Sequence, residues 1–125
     1  MTKIKLGEHS KLSASSLERE RIQKFYRDVL GCKIVVKDGV DLVWLGDNFH
    51  IGYRYDDSAL SKEEMLKSIW LELRVENPDE LRKKILDFGI RGLDFWDREH
   101  FYFQAPGGQV FRLVGWTEDM SKWKS

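Results

Sequence analysis

Side chains that could bind a ligand or coordinate a metal alternate with apolar residues in several short segments of the chain. In the clearest of these, residues 69–75, aliphatic residues hold the odd positions, and Trp70, Glu72 and Arg74 hold the even ones. Strict alternation is typical of a β-strand that buries one face in a core. The indole, carboxylate and guanidinium on the other face could stack on a small molecule or pair with its charge.

Other predicted strands carry similar side chains on the face turned away from the predicted helices. Two imidazoles, one carboxylate and several cations around a tryptophan would make a binding pocket if the sheets curve. The candidate ligand-binding residues are His9, Lys11, His50, Trp70, Glu72 and Arg112. A simpler interpretation stays open, because an antiparallel sheet often exposes one polar face that has no function.

The elements that must position these residues follow the order β-α-β-β-β twice. The first half predicts a strand at 5–14, a helix at 15–30 and strands at 32–37, 40–45 and 49–55. The second half predicts a strand at 69–75, a helix at 78–88 and strands at 91–96, 100–105 and 109–114. This order indicates an α+β fold of two tandem βαβββ modules, which form curved mixed sheets around a shared cleft.

Both predicted helices carry start and stop signals. Residues 15–18 and 77–80 match the capping-box spacing of a helix N-terminus, and Pro78 suits the first turn of the second helix. Gly31 and Gly89 follow the two helices, at the position where glycine commonly ends a helix.

Length and composition set further bounds. With 125 residues the chain is predicted to be one domain, with module one at about 4–55, a linker at 56–68, module two at about 69–116 and a tail at 117–125. Its 21 basic and 21 acidic side chains cancel, which argues against a nucleic-acid or membrane surface. Cys32 is the only cysteine and no apolar run approaches about 20 residues, so a cytoplasmic protein is expected.

Two motifs carry a resemblance to a known superfamily. Phe25–Gly31, FYRDVLG, is similar to the F-Y-x-D-x-L-G stretch of the vicinal oxygen chelate superfamily, and Phe101–Gly108 resembles its F-x-D-P-x-G signature. That superfamily includes glyoxalase I, bleomycin-resistance proteins, fosfomycin-resistance enzymes and extradiol dioxygenases. The resemblance spans roughly residues 4–116 and implies a single glyoxalase/bleomycin-resistance-like domain, on a scaffold that supports many reactions.

The resemblance also implies where a metal would bind. In glyoxalase-type members four strands each donate one inward ligand, and the matching positions here are His9, His50, Trp70 and Arg112. Trp70 cannot ligate a metal, and a guanidinium about 4 Å from a divalent cation would oppose it by several kcal/mol. Glu72, two residues along the same strand face, could replace a lost ligand or could pair with Arg112 or Lys11.

Three functional hypotheses follow. The leading one is a metal-free small-molecule binding protein of the bleomycin-resistance type, with Arg112 and Lys11 attracting an anionic ligand and Trp70 stacking on an aromatic one. The second is a metal-dependent lyase, isomerase or dioxygenase that uses His9, His50 and Glu72. The third is a structural or regulatory dimer whose cleft is collapsed.

Further expectations concern the oligomer and the remaining residues. The resemblance implies a homodimer, and Trp96, Trp116 and Trp123 could be buried at its contact. His100 is interpreted as an ordinary surface or turn histidine. The polar C-terminal tail is expected to pack loosely on the outside or at the subunit contact.

Overall fold

The chain forms two compact units that divide between Ser61 and Lys62 in the computed structural model, which describes residues 2–123. Each unit contains one curved mixed sheet, and the seven strands within these residues are accompanied by few, short helices. The predicted α+β class is therefore confirmed, whereas the shared cleft stays a prediction. Within residues 2–123, none of the helices combines the length and hydropathy that crossing a membrane requires.

The first unit holds a four-stranded sheet with the order β1-β4-β3-β2. Its strands are β1 (His9–Ala14), β2 (Lys33–Lys37), β3 (Val40–Trp44) and β4 (His50–Tyr55). Strands β1 and β4 are parallel, and the other two pairs are antiparallel. The strand predicted at 5–14 begins only at His9, because His9 pairs with His50 at the start of β4 and the preceding residues extend beyond its end.

The helix predicted at 15–30 is continuous but changes its pitch. It consists of a 3₁₀ turn at Ser16–Glu18, the α-helix α1 at Arg19–Lys24 and a π-helical turn at Phe25–Val29. The π-helical turn lies where the adjacent Phe25 and Tyr26 are both fully buried. Gly31 follows with a φ of 69°, a left-handed conformation that glycine adopts at little cost.

A buried carboxylate joins this helix to the sheet. Asp41 on β3 is 0% exposed and accepts hydrogen bonds from Arg19 at 2.9 and 3.1 Å, Gln23 at 3.0 Å and Tyr55 at 2.6 Å. Because side chains alternate along a strand, the helix covers the sheet face that carries Asp41, and Trp44 lies on the opposite face.

The second unit holds a three-stranded sheet with the order β5-β7-β6. Its elements are α2 (Lys62–Met65), β5 (Trp70–Val75), α3 (Pro78–Asp87), β6 (Phe101–Gln104), β7 (Val110–Gly115) and a 3₁₀ turn at Ser121–Trp123. Strand β7 is parallel to β5 and antiparallel to β6. Pro78 opens α3 as predicted, but the side chain of Asn77 forms no capping hydrogen bond.

The prediction of a strand at 91–96 is wrong. Only Gly92 forms an isolated bridge, to Phe103, and the chain then leaves the sheet. The ring of Phe95 packs instead on Trp70 and Tyr102, with ring centroids 5.0 and 4.8 Å apart. Packing of this half-buried aromatic ring draws the segment away from the edge of β6, so the second module contains two strands after its helix rather than three.

The described part of the C-terminal tail is mostly exposed, as expected, but it is attached to the second unit at several points. Met120 is 8% exposed, and Glu118 hydrogen-bonds to His100 at 2.6 Å. The ring of Trp123 lies against Trp96, with centroids 5.4 Å apart. Trp96 and Trp116 themselves remain 69% and 64% exposed. Residues 124 and 125 of the predicted tail lie outside the described residues.

Candidate functional site

In the first unit, the uncovered sheet face brings three of the predicted residues together. The parallel register of β1 and β4 sets His9 beside His50 and Lys11 beside Gly52. The antiparallel register of β3 and β4 sets Trp44 on the other side of His50. These residues share one strand parity, so their side chains project from the face opposite α1.

The two imidazoles on this face are in direct contact. Nδ1 of His9 lies 2.8 Å from Nε2 of His50, and the ring of Trp44 packs on His50 with centroids 4.4 Å apart. Nδ1 of His50 is buried without a hydrogen-bond partner within the described part of the chain. A buried nitrogen that lacks a partner is costly, so a ligand that supplied one would bind favourably here.

A cavity of about 750 Å³ lies beside this pair, on the same sheet face. It is lined by Leu30, Gly31, Cys32, Lys33, Val35, Lys37, Leu42, Trp44, Gly46 and Asp47. Small-molecule pockets commonly measure about 300–1,000 Å³. The sequence interpretation missed Val35, Leu42 and Trp44, although their parity along β2 and β3 places them on the face of His50.

The thiol of Cys32 lines this cavity but is not activated. Burial raises its pKa to about 11, so the thiol stays protonated near neutral pH. The thiolate is the nucleophilic form of cysteine. The cavity therefore presents apolar and aromatic walls with the cations Lys33 and Lys37, and no prepared sulfur nucleophile.

In the second unit, the three other predicted residues share the sheet face turned away from α3. Nε and Nη2 of Arg112 donate to Oε1 of Glu72 at 3.0 and 2.7 Å. Trp70 lies two residues before Glu72 and packs on Tyr102, with ring centroids 5.7 Å apart. Arg112 therefore has its charge paired with Glu72, one of the two roles expected for it.

A closed network of polar contacts continues from this ion pair. Arg112 donates to the hydroxyl of Tyr102 at 3.1 Å, and Tyr102 donates to Asp97 at 2.9 Å. The imidazole of His100 lies between two carboxylates: its Nδ1 is 2.8 Å from Asp97 and its Nε2 is 2.6 Å from Glu118. Its members, in order around the ring, are Glu118, His100, Asp97, Tyr102, Arg112, Glu72 and Arg74. Arg74 closes the ring by donating to the backbone oxygen of Glu118 at 2.5 Å and lying 3.6 Å from Glu72.

The interpretation of His100 as a surface histidine is wrong. Its side chain is only 3% exposed and both ring nitrogens contact carboxylates. Burial by itself lowers the pKa of His100, but the hydrogen bonds and charges of Glu118 and Asp97 outweigh it, so the pKa is raised. The spacing of residues in the sequence did not indicate that His100 contacts two carboxylates, because Asp97 and Glu118 lie in segments without a periodic pattern.

One group of side chains in the second unit has the donor types of a metal site. Asp97, Glu99 and His100 each place one donor atom within 4.8 Å of the others. These donors already have partners, since Glu99 accepts from Lys122 at 2.6 Å and His100 contacts two carboxylates. A metal would have to displace these cations, and we assign none to the group.

The predicted set of His9, His50 and Glu72 fits a metal only in part. Two imidazole ligands on zinc lie about 3.3 Å apart when the bonds are about 2.0–2.1 Å long, close to the spacing of His9 and His50. Glu72 belongs to the second unit, where its carboxylate is paired with Arg112. The first unit thus offers two donors, fewer than the three protein ligands typical of a catalytic zinc site.

Comparison with solved structures identifies the fold. A glyoxalase family protein from Bacillus anthracis superposes with a TM-score of 0.71 at 19% identity, covering 92% of this chain and 98% of its own. The fosfomycin resistance protein FosX from Mesorhizobium loti gives 0.67 at 14% identity, covering 99% and 100%. The chain has the vicinal oxygen chelate fold. TnmS3, an antibiotic binding protein from Streptomyces sp. CB03234 with the same fold, gives 0.63 at 13% identity, covering 92% and 98%.

Sequence comparison adds no closer assignment. No protein-family profile matches the chain, and no curated protein matches it. At the identities above, the likeness establishes the vicinal oxygen chelate fold and leaves the activity open. The resemblance expected from Phe25–Gly31 and Phe101–Gly108 is thereby confirmed at the level of the fold.

Proposed function

We propose that this protein binds a small aromatic anion without a metal, on the uncovered sheet face of its first unit. The observation that carries the proposal is the cavity of about 750 Å³ lined by Trp44, whose ring also packs on His50. Lys33 and Lys37 supply positive charge at the same cavity. An indole and neighbouring cations suit a flat anionic molecule.

Two features of the second unit support an aromatic ligand over a purely ionic one. Arg112 is paired with Glu72, so an anion that binds it must first displace a carboxylate. Trp70, Phe95 and Tyr102 form a continuous aromatic cluster on the same face. We propose Trp70, Glu72 and Arg112 as ligand contacts of the second unit, and His9, Lys11 and His50 as ligand contacts of the first.

The relatives by fold are consistent with this proposal. One of them is named for resistance to fosfomycin and another as an antibiotic binding protein, so both names refer to small molecules. Binding of a small molecule requires no prepared nucleophile, in keeping with the protonated Cys32 thiol. We further propose that the protein acts in the cytoplasm as a homodimer. The exposed Trp96 and Trp116 would be buried at the contact between the two chains. A sedimentation mass equal to that of one chain would contradict the dimer.

Calorimetric titration with 2-naphthoate and its neutral analogue 2-naphthamide tests the proposal. Trp44→Ala should weaken 2-naphthoate binding about fivefold, because a stacking partner contributes about 1 kcal/mol. Trp116→Ala is the matched control, since Trp116 is 64% exposed and lies in the other unit. Equal affinity of wild type and Trp44→Ala, or no binding of either compound at millimolar concentration, would contradict the proposal.

The charge requirement has a test of its own. The double variant Lys33→Gln/Lys37→Gln should remove most of the preference for 2-naphthoate over 2-naphthamide, because the two cations line the cavity. Lys83→Gln, on the exposed surface of α3, should leave that preference unchanged. A preference that survives in the double variant would place the anion elsewhere.

The metal-dependent alternative is kept because one observation favours it. The nitrogens of His9 and His50 are 2.8 Å apart, and the unpaired Nδ1 of His50 could carry the hydrogen that a metal-bound imidazole retains. A bound metal would act as a Lewis acid towards a ligand oxygen. Elemental analysis of wild type, His9→Ala and His50→Ala distinguishes this enzyme from the metal-free binding protein.

A further inference from the structure

Residues 116–123, here named the C-terminal strap, cross the face of the second unit that carries Arg112. The guanidinium of Arg112 lies 5.8 Å from the ring centroid of Trp123, so the strap covers this cation. Glu118 accepts from the backbone N–H of Gly115 at 3.0 Å and contacts His100 at 2.6 Å. Arg74 also donates to the backbone oxygen of Glu118 at 2.5 Å. The contact between Glu118 and His100 is the attachment of the strap that depends on a titratable imidazole.

We propose that the C-terminal strap is a pH-dependent cover, closed over Arg112 when His100 is charged and released when His100 is neutral. An imidazolium donates from both nitrogens, and here it donates to Asp97 at 2.8 Å and to Glu118 at 2.6 Å. A neutral imidazole carries one N–H, so it can donate to only one of the two carboxylates. At the other contact, a nitrogen lone pair would face a carboxylate oxygen at hydrogen-bond distance.

Burial decides which carboxylate loses its partner. The side chain of Asp97 is 1% exposed, whereas that of Glu118 is 38% exposed. Asp97 also accepts from Tyr102 at 2.9 Å and from the backbone N–H of Glu99 at 3.0 Å. Water cannot replace a donor that this buried carboxylate loses, whereas water can reach Glu118, so losing the imidazole donor costs Asp97 more. The single N–H of neutral His100 therefore stays with Asp97, and Glu118 is the group that turns to solvent.

The charges around His100 agree with this direction. The charged groups that face it or its partners are Asp97, Glu99, Glu118, Lys122, Arg74, Arg112 and Glu72, and Tyr102 hydrogen-bonds to Asp97. Within the seven-membered ring, three carboxylates meet two guanidinium groups and His100. The ring is neutral only with His100 protonated, so its deprotonation leaves one negative charge in excess. The raised pKa of His100 means that this contact is complete below the usual histidine range and is lost as pH rises through the raised value.

The remaining contacts of the strap are suited to release. Nζ of Lys122 meets Glu99 at 2.6 Å, but both side chains are 59% exposed, and exposed ion pairs are weak. The indole Nε1 of Trp123 is buried without a partner among the described residues, so this N–H would gain a water partner on opening. Two contacts oppose release: the buried side chain of Met120, 8% exposed, and the hydrogen bond from Arg74 to the backbone oxygen of Glu118 at 2.5 Å.

Fluorine NMR of the full chain labelled with 5-fluorotryptophan tests the proposal, with Trp123→Phe assigning the Trp123 resonance. From about one pH unit below to about two above the usual histidine pKa of about 6.5, the Trp123 resonance should shift to a solvent-exposed position. In Glu118→Gln the midpoint of this shift should move to lower pH, because a charge that favours the imidazolium is gone. In His100→Gln the shift should disappear.

Controls separate the strap from general unfolding. The far-ultraviolet circular dichroism should stay unchanged over this pH range in every variant, because release of the strap leaves the sheets and helices folded. The carboxylate of Asp119 accepts a hydrogen bond from the backbone N–H of Ser121 at 2.9 Å, within the strap itself. The control variant Asp119→Asn should therefore keep the wild-type midpoint. A Trp123 resonance indifferent to pH, a shift retained in His100→Gln or an unmoved midpoint in Glu118→Gln would overturn the proposal.

Discussion

Nδ1 of His9 and Nε2 of His50 lie 2.8 Å apart across two parallel strands, 41 positions apart in the chain. The contact follows from the register of β1 and β4, in which the two histidines are direct partners. Trp44 holds the other side of His50, with ring centroids 4.4 Å apart. The pair therefore lies beside the wall of the cavity for which we propose an aromatic anion.

The first prediction concerns metal content. Protein purified without added ions should hold only substoichiometric transition metal, because the first unit supplies His9 and His50 but not the third protein ligand typical of a catalytic zinc site. Elemental analysis gives the measurement. A stoichiometric metal that is lost in both His9→Ala and His50→Ala, yet retained in His100→Gln, would favour the metal-dependent alternative instead.

The second prediction concerns the buried carboxylate. Asp41→Asn should lower the free energy of unfolding by about 1–3 kcal/mol, because it weakens the hydrogen bonds that this buried carboxylate accepts from Arg19, Gln23 and Tyr55. Urea denaturation at neutral pH gives the measurement. Asp57→Asn, an exposed position in the same unit, should change the free energy by less than about 0.5 kcal/mol. Equal effects of the two substitutions would show that Asp41 has no special role.

The same substitution has a pH dependence with a definite sign. Burial raises the pKa of Asp41, but hydrogen bonds from Arg19, Tyr55 and Gln23 and the charge of Arg19 outweigh it, so the pKa is lowered. The stabilisation is therefore present above the unfolded-state pKa of about 3.9 and is lost as pH falls through the lower folded-state value. Wild type and Asp41→Asn should converge in acid, and a constant gap would contradict this linkage.

The third prediction concerns the turn before β7. Gly108 has a φ of 105°, and a Cβ placed there would lie 2.7 Å from Cγ of the buried Met65. Gly108→Ala should destabilise the fold by about 2–4 kcal/mol, combining backbone strain with overpacking. Gly31→Ala is the matched control: its φ is 69° but the space around it is open, so it should cost only about 1–2 kcal/mol. Thermal or urea unfolding measures both losses of stability. If Gly108→Ala and Gly31→Ala lost the same free energy of unfolding, the contact with Met65 would make no steric contribution.

The fourth prediction concerns the ion pair on the second sheet face. A double-mutant cycle of Glu72→Gln and Arg112→Met should give a coupling energy of about 1 kcal/mol that falls as salt is added. The side chains are 35% and 22% exposed. The pair of Asp94 and Arg98 is 2.6 Å apart but 84% and 75% exposed, so its coupling should be below about 0.5 kcal/mol. A larger coupling in the exposed pair would contradict the role assigned to burial.

The incorrect strand prediction at 91–96 shows where a local sequence pattern does not determine the secondary structure. The segment contains apolar residues, but the ring of Phe95 packs on Tyr102 and on Trp70, and Trp70 lies in another strand well before it in the chain. Only Gly92 retains a bridge to the sheet, at a point where a Cβ would lie 2.7 Å from the ring of Phe101. Tertiary packing of one aromatic ring thus outweighed strand propensity.

The sequence by itself determined the order of elements and the faces of the strands. Alternation has a period of two, so it places Lys11 with His9, and Glu72 with Trp70, whatever the rest of the fold does. The end of the helix at Gly31 was also determined by local sequence, since the positive φ found there is a conformation that a single glycine adopts readily. These features require no knowledge of distant parts of the chain.

Only the tertiary structure decided which of these faces meet and which loops join them. The contacts of His9 with His50 and of Arg112 with Glu72 depend on register between strands 40 or more residues apart. His100 acquired its two carboxylates from a loop and the C-terminal strap, where no periodicity constrains side-chain direction. The physical reason is that backbone geometry fixes direction within a strand, whereas pairing between distant segments is selected by the packing of the whole unit.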